Sequence, residues 1–175
     1  MIIFLFGRPW SGKTQVGQKL AKILGTTFRD GDDWYTEEEK DKITRNEFNW
    51  DDSRKFFSRL NEELKMQQCG GRMLVISGQG IFLRQYRQEL KDTFGDNIFL
   101  VYLRVPKEIT IVRAMQPRTY GGKEHFYGSA QYVKEVDEFE EEGVYDFRVE
   151  NLGSSEQAAQ NIVRGITKHY RKIGR

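Results

Sequence analysis

Gly7-Arg8-Pro9-Trp10-Ser11-Gly12-Lys13-Thr14 decides the fold of this 175-residue chain. The octapeptide fits GxxxxGK[ST] in full, with the apolar run Ile2 to Phe6 before it and an amphipathic segment after it. Strand, loop and helix in that order are what the pattern needs. Backbone N–H groups turn inward around a phosphate chain, the lysine reaches the β- and γ-phosphates, and the next hydroxyl reaches Mg²⁺. The helix then aims its positive end at the same anion. The sequence thus predicts a nucleotide site built from Gly7, Arg8, Pro9, Trp10, Ser11, Gly12, Lys13 and Thr14, with ATP and Mg²⁺ as its ligands. Trp10 stands where a small residue would leave more room for phosphates; its ring either points outward over the loop or shades the nucleotide.

The length suits one domain over residues 1–175, and nothing reads as a linker. Lys plus Arg at 28 against Asp plus Glu at 26 leaves a net charge of only +2, so nucleic acid is not an expected partner. Cys69 is the only cysteine, which excludes a disulfide framework or a cysteine zinc site and points to a reducing cytoplasm. Met1 to Phe6 is too short for a signal peptide or a membrane span and runs directly into the loop, so no membrane association is expected. A monomer and a homodimer are equally compatible with these features.

Beyond the loop, Val16, Leu20, Ile23 and Leu24 recur at helical spacing and Gly25 ends the helix. Thr26 to Arg29 reads as a short strand delivering Asp30-Gly31-Asp32-Asp33. Thr36 and Glu39 form a capping box for a polar helix ending near Ile43. Ser53 is the expected cap of the next helix, whose Phe56, Phe57, Leu60 and Leu64 make an apolar stripe. Met73 to Ile76 is a near-continuous apolar run, as in a strand buried on both faces of a parallel sheet. Gly78-Gln79-Gly80 and a helix through Tyr86 to Phe94 follow. Asn97 to Arg104 is the fourth strand, and a helix entered at Pro106 runs to about Met115.

Residues 116–128 hold Pro117, Gly121, Gly122 and Gly128 amid Arg118, Lys123 and His125, a composition suited to a mobile lid. Gln131 to Glu142 reads as an acidic helix. Tyr145, Phe147 and Val149 alternate as a fifth strand, and Ser154 or Ser155 caps a last helix. Its basic ending, Lys168 to Arg175, complements the helix dipole. Strands and helices alternate throughout, which predicts an α/β fold with ligands at the carboxyl ends of the strands: a P-loop NTPase three-layer sandwich with a parallel five-stranded sheet and a mobile lid.

The third strand ends in Ser77-Gly78 rather than an aspartate, so the carboxylate that motor ATPases and GTPases keep there is missing, as is an Asn-Lys-x-Asp guanine reader. The chain offers Asp30 and Asp32 instead. Beside a phosphate loop, Asp30 suits a Mg²⁺-bound water and Asp32 suits an acceptor hydroxyl near the γ-phosphate. Without that loop the same residues would read as a solvated acidic turn.

These residues carry a family resemblance. Phe28-Arg29-Asp30-Gly31-Asp32-Asp33 resembles the Asp-Gly-Asp motif of gluconate kinases, Asp51 to Arg54 their Asp-x-Asp-Arg element, and Tyr86-Arg87 their Tyr-Arg pair. Arg113, Arg118 and His125-Phe126 are similar to their lid pattern. Gly78-Gln79-Gly80 resembles the glycine turn of the neighbouring shikimate kinases. Three elements depart from the gluconate kinase pattern: Ser53 replaces an aspartate, Leu83 a lysine, and Lys134-Glu135 a Ser-Gln pair. The resemblance implies that Lys13, Thr14 and Mg²⁺ hold ATP, that Arg113 and Arg118 neutralise the transferring phosphoryl group, and that Asn151-Leu152-Gly153 cradles adenine. It also implies that Asp32, Arg54, Gly78, Gln79, Gly80, Arg87 and His125 face a small acceptor, with guanidinium forks suited to a carboxylate or phosphate. The expected activity is phosphoryl transfer from ATP to a hydroxyl of a sugar acid or a shikimate-like carboxylate. A nucleoside or nucleoside monophosphate kinase is the alternative within enzymes, and a non-catalytic ATP-sensing module the alternative outside them.

Overall fold

In the computed structural model, residues 1–45, 47–78, 81–114, 118–120, 123–125, 143–172 and 174 are described. The chain runs β1 (Ile2–Phe6), α1 (Lys13–Leu24), β2 (Thr27–Asp30), a 3-10 turn (Gly31–Trp34), α2 (Glu37–Thr44), α3 (Trp50–Cys69), β3 (Leu74–Ser77) and α4 (Arg84–Phe94). A second 3-10 turn (Gly95–Asn97), β4 (Ile98–Arg104), α5 (Lys107–Ala114), β5 (Arg118–Tyr120), β6 (Lys123–His125), β7 (Phe147–Glu150) and α6 (Ser155–Lys172) follow. The main sheet has the order β2-β3-β1-β4-β7, and its four strand pairings are all parallel.

Alternation along the strands builds two cores. Ile2, Phe4, Phe6, Ile76, Leu100 and Tyr102 meet Phe56, Phe57, Leu60 and Leu64 of α3 and Tyr86, Leu90 and Phe94 of α4 on one face. Ile3, Leu5, Val75, Phe99, Val101 and Leu103 meet Val16 and Leu20 of α1 and Ala158, Ala159 and Ile162 of α6 on the other. This is the expected three-layer sandwich. With β1 flanked on both sides by parallel strands, the phosphate loop lies at the middle of the carboxyl edge.

Three boundaries differ from the sequence expectation. Helix α3 begins at Trp50 and is capped by Asn49, not Ser53: Asn49 Oδ1 accepts from the N–H groups of Asp51 and Asp52 at 2.9 and 3.1 Å, and Asp52 Oδ2 accepts from Asn49 N at 3.2 Å. This reciprocal box satisfies the opening donors one turn earlier, leaving Ser53 buried inside the first turn. The last strand begins at Phe147 rather than Tyr145, because Asp146 is committed elsewhere. Its N–H donates to Leu100 O at 2.9 Å, and its carboxylate accepts from Leu100 N at 2.8 Å and from Lys91 Nζ at 2.9 and 3.0 Å. Third, 118–120 and 123–125 pair as antiparallel strands with Arg118 opposite His125, which no local pattern in this glycine-rich stretch announces. The rest of the expected lid and the expected acidic helix at 131–142 lie outside the described residues.

Asp146 joins α4, β4 and the entry to β7, so Asp146→Ala is expected to cost about 2 kcal/mol by stranding the Lys91 ammonium and the Leu100 N–H. Urea denaturation checks this. An unchanged midpoint would show that water replaces the carboxylate without loss. Among the described residues no helix is long and apolar enough to cross a membrane.

Candidate active site

Five strand ends converge on one edge. Behind the phosphate loop, a Cβ on Gly7 would lie 2.4 Å from Leu103 O, so the loop leaves β1 in contact with the backbone of β4. Ser11 N closes a turn on Arg8 O at 3.1 Å, and α1 begins at Lys13. The first N–H groups of a helix have no intrahelical partner, so the start of α1 presents donors to the loop interior. The Lys13 side chain folds back over the loop, Nζ donating to Gly7 O at 3.2 Å and Arg8 O at 3.0 Å. An ammonium resting on neutral carbonyls can turn to the more strongly accepting oxygens of a phosphate.

Thr14 and Asp30 meet across α1 and β2. Thr14 Oγ1 donates to Asp30 Oδ2 at 3.0 Å, while Asp30 Oδ1 accepts from Asp32 N at 3.2 Å and caps the 3-10 turn. The donor set at this point is oxygen only, and no cluster of three or more histidine, cysteine, aspartate or glutamate side chains occurs among the described residues. That fits Mg²⁺, which takes one or two protein oxygens and completes its shell with water and phosphate. Between the aspartates, a Cβ on Gly31 would lie 2.9 Å from Ser77 O, so only glycine lets this turn lie against the end of β3. Asp32 is exposed at the edge.

Aromatic contacts fix that turn on α3. Tyr35 stacks on Phe56 with centroids 3.9 Å apart and meets Phe48 edge-on at 5.7 Å. Tyr35 belongs to no motif of the sequence; its local signal is the aromatic pair Trp34-Tyr35 just after the Asp30–Asp33 turn. Helix α3 connects β2 to β3, so its first turns lie at the carboxyl edge, and Trp50 and Arg54 stand exposed there one helical turn apart. Nearby, the Lys42 ammonium, 2.9 Å away, and the Asn49 N–H hold the Asp52 carboxyl below the ordinary carboxylate range; Lys42 is raised in return, by Asp52 first and then Glu38. Asp52 therefore supports the start of α3 above its unfolded value, and this support is lost as pH falls through the lower folded value.

Arg87 is wholly buried. Its Nη1 donates to Ile81 O at 3.1 Å and Phe82 O at 2.7 Å, and its guanidinium lies 4.8 Å from the centroid of the Phe6 ring. It therefore lies beneath the loop after β3 and holds two of its carbonyls. Gly78 follows that strand beside Gly31, with 3.4 Å between the Gly31 Cα and a Cβ built on Gly78. Gln79 and Gly80 lie outside the described residues, and Arg118 and His125 are described by backbone alone.

On the opposite side, Arg113 at the end of α5 donates from Nη1 to Trp10 O at 3.4 Å and from Nη2 to Asn151 O at 3.1 Å. Asn151, just beyond β7, donates from Nδ2 to Ser11 O at 2.7 Å and is buried. Trp10 is half-buried with φ of 60°. The structure thus brings together Lys13, Thr14, Asp30, Asp32, Gly78, Arg113 and Asn151 around the strand ends.

The comparisons with known proteins agree with this geometry. The family model described as shikimate kinase matches residues 9–170. The chain is 30% identical over 165 residues to a shikimate kinase of Nitratidesulfovibrio vulgaris, covering 93% of this chain and 86% of that protein. It is 28% identical over 133 residues to a protein described as a probable gluconokinase of Dictyostelium discoideum, where the match takes in 73% of this chain but spans only 64% of the relative's length. A gluconokinase from Sinorhizobium meliloti 1021 shares the fold, with a TM-score of 0.78 at 20% identity over 98% of this chain and 94% of that one. With the match running from inside the phosphate loop almost to the end of α6, the chain belongs to the shikimate kinase family.

Proposed function

We propose that the protein is an ATP-dependent kinase that transfers the γ-phosphoryl group to a hydroxyl of a small polyhydroxylated carboxylic acid of the gluconate or shikimate kind. The observation that carries the reading is the Thr14–Asp30–Asp32 chain of hydrogen bonds beside the phosphate loop. It sets one carboxylate against the Thr14 hydroxyl, an arrangement that suits Mg²⁺, with the exposed Asp32 beside it, which suits an acceptor hydroxyl. A protein that only sensed ATP would need the loop and not the second carboxylate. Family membership and the gluconokinase and shikimate kinase relatives support the same class.

In this reading Lys13 leaves its loop carbonyls for the β- and γ-phosphate oxygens, and Thr14 and Asp30 hold Mg²⁺ directly or through water. Mg²⁺, when bound, supplies charge neutralisation on the phosphates. Asp32 orients the acceptor hydroxyl and takes its proton as the new O–P bond forms and the bond to the leaving ADP breaks. Arg54 suits the acceptor carboxylate, because a guanidinium binds it through two parallel hydrogen bonds. The segment 116–128 serves as the lid, and its closure excludes water.

ADP release with Mg-ATP across gluconate, shikimate, related sugar acids, nucleosides and nucleoside monophosphates tests the proposal, with Lys13→Ala as background. Stimulation by a carboxylic acid acceptor is the expected result. Stimulation by nucleosides alone would overturn the acceptor class, and tight ATP binding with no stimulation by any acceptor would favour the sensing module.

A further inference from the structure

Trp10 is the only non-glycine residue with positive φ among those described, and it sits within the phosphate loop. A bulky side chain disfavours the left-handed region, so this conformation persists only where surrounding contacts impose it. The contacts are identifiable. The two carbonyls that follow the strained Cα, those of Trp10 and Ser11, each accept a hydrogen bond from a different element: Arg113 Nη1 from α5 and Asn151 Nδ2 from the loop after β7. The two donors are themselves joined, Arg113 Nη2 donating to Asn151 O at 3.1 Å. Asn151 is only 5% exposed, and a Cβ on Gly12 would come within 2.8 Å of its Nδ2, so the amide is pressed against the loop.

We propose that Asn151 and Arg113 are positioning residues: they clasp the 10–11 peptides and hold Trp10 left-handed, keeping the phosphate loop in its anion-binding form before nucleotide arrives. The inference rests on the reading of this loop as a nucleotide site. It adds that the loop's shape is imposed from outside, by side chains behind it, where a glycine at position 10 would adopt the same turn unaided. Because Arg113 stands in the last turn of α5, the clasp also ties the loop's shape to that helix.

The test is a double-mutant cycle between Asn151→Ala and Trp10→Gly, read by the dissociation constant for Mg-ADP and by hydrogen exchange of peptides covering residues 8–14 in the ligand-free protein. Asn151→Ala should weaken Mg-ADP roughly 10-fold and speed exchange in the loop in the Trp10 protein, yet weaken it less than about threefold in the Trp10→Gly background, since glycine visits αL freely. Asn151→Asp keeps the shape without the donor and should behave like Asn151→Ala; recovery of wild-type affinity by Asn151→Asp would make the contact steric and overturn the clasp. Equal losses in both backgrounds would overturn it as well. Should the wild-type protein bind no nucleotide, the nucleotide reading fails separately, and the exchange measurement still decides the clasp by whether the loop speeds up in Asn151→Ala and not further in the double variant.

Discussion

Asp32→Ala is expected to lower kcat with the best acceptor about 10³-fold while Mg-ATP affinity stays within about threefold, the loss general-base and orienting groups commonly carry. The structure separates the two effects. Asp32 is exposed on the 3-10 turn and its N–H donates to Asp30 Oδ1, whereas the contact with the Thr14 hydroxyl belongs to Asp30 itself. Removing the Asp32 carboxylate leaves its N–H, the Asp30 cap and the Thr14 contact in place. Isothermal titration of Mg-ATP beside steady-state kinetics checks this. A parallel collapse of ATP binding would move Asp32 from the acceptor to the nucleotide, and an unchanged kcat would remove it from the chemistry.

Gly7→Ala should destabilise the protein by about 3 kcal/mol or more, enough to unfold much of a marginally stable domain. The added methyl would stand 2.4 Å from Leu103 O and 3.2 Å from Ser11 Oγ. The first of these is backbone in a central strand that cannot move aside, because β4 is hydrogen-bonded to β1 on one side and β7 on the other. Thermal denaturation of the purified variant, or its appearance only in the insoluble fraction, reads the effect. Gly25→Ala serves as control: no atom lies within 4 Å of a Cβ there, so only the cost of its positive φ of 62° remains. Equal melting temperatures for Gly7→Ala and wild type would mean that the end of β1 and β4 part more easily than their ladder implies.

Much of the architecture was legible because the loop motif and the apolar runs are local signals. The buried runs Ile2–Phe6, Leu74–Ser77 and Ile98–Arg104 are apolar on both faces, as a central parallel strand requires, and each is followed by an amphipathic helix. The site was legible as an inventory rather than as an arrangement. That Thr14, Asp30 and Asp32 stand together could be expected from a motif and a spacing. Arg87 shows why the rest could not: the sequence offers a guanidinium beside a tyrosine on a helix, and only the crossing of α4 over the loop after β3 determines that it points inward, to Ile81 O and Phe82 O. The start of α3 shows the same limit on a smaller scale, since Asn49 and Ser53 are both acceptable caps and the box with Asp52, tied to Lys42 from α2, selects the first.

The sequence by itself determined that this chain carries a phosphate loop on a parallel sheet, because a strand, a glycine-bounded turn and a helix start are encoded within fourteen consecutive residues. Tertiary structure alone decided how that loop is held. Trp10 and Asn151 are 141 positions apart, and no local rule joins them; what brings the Asn151 amide to Ser11 O is the parallel register that sets β7 beside β4 and β4 beside β1, so that the loops leaving their carboxyl ends meet at one edge.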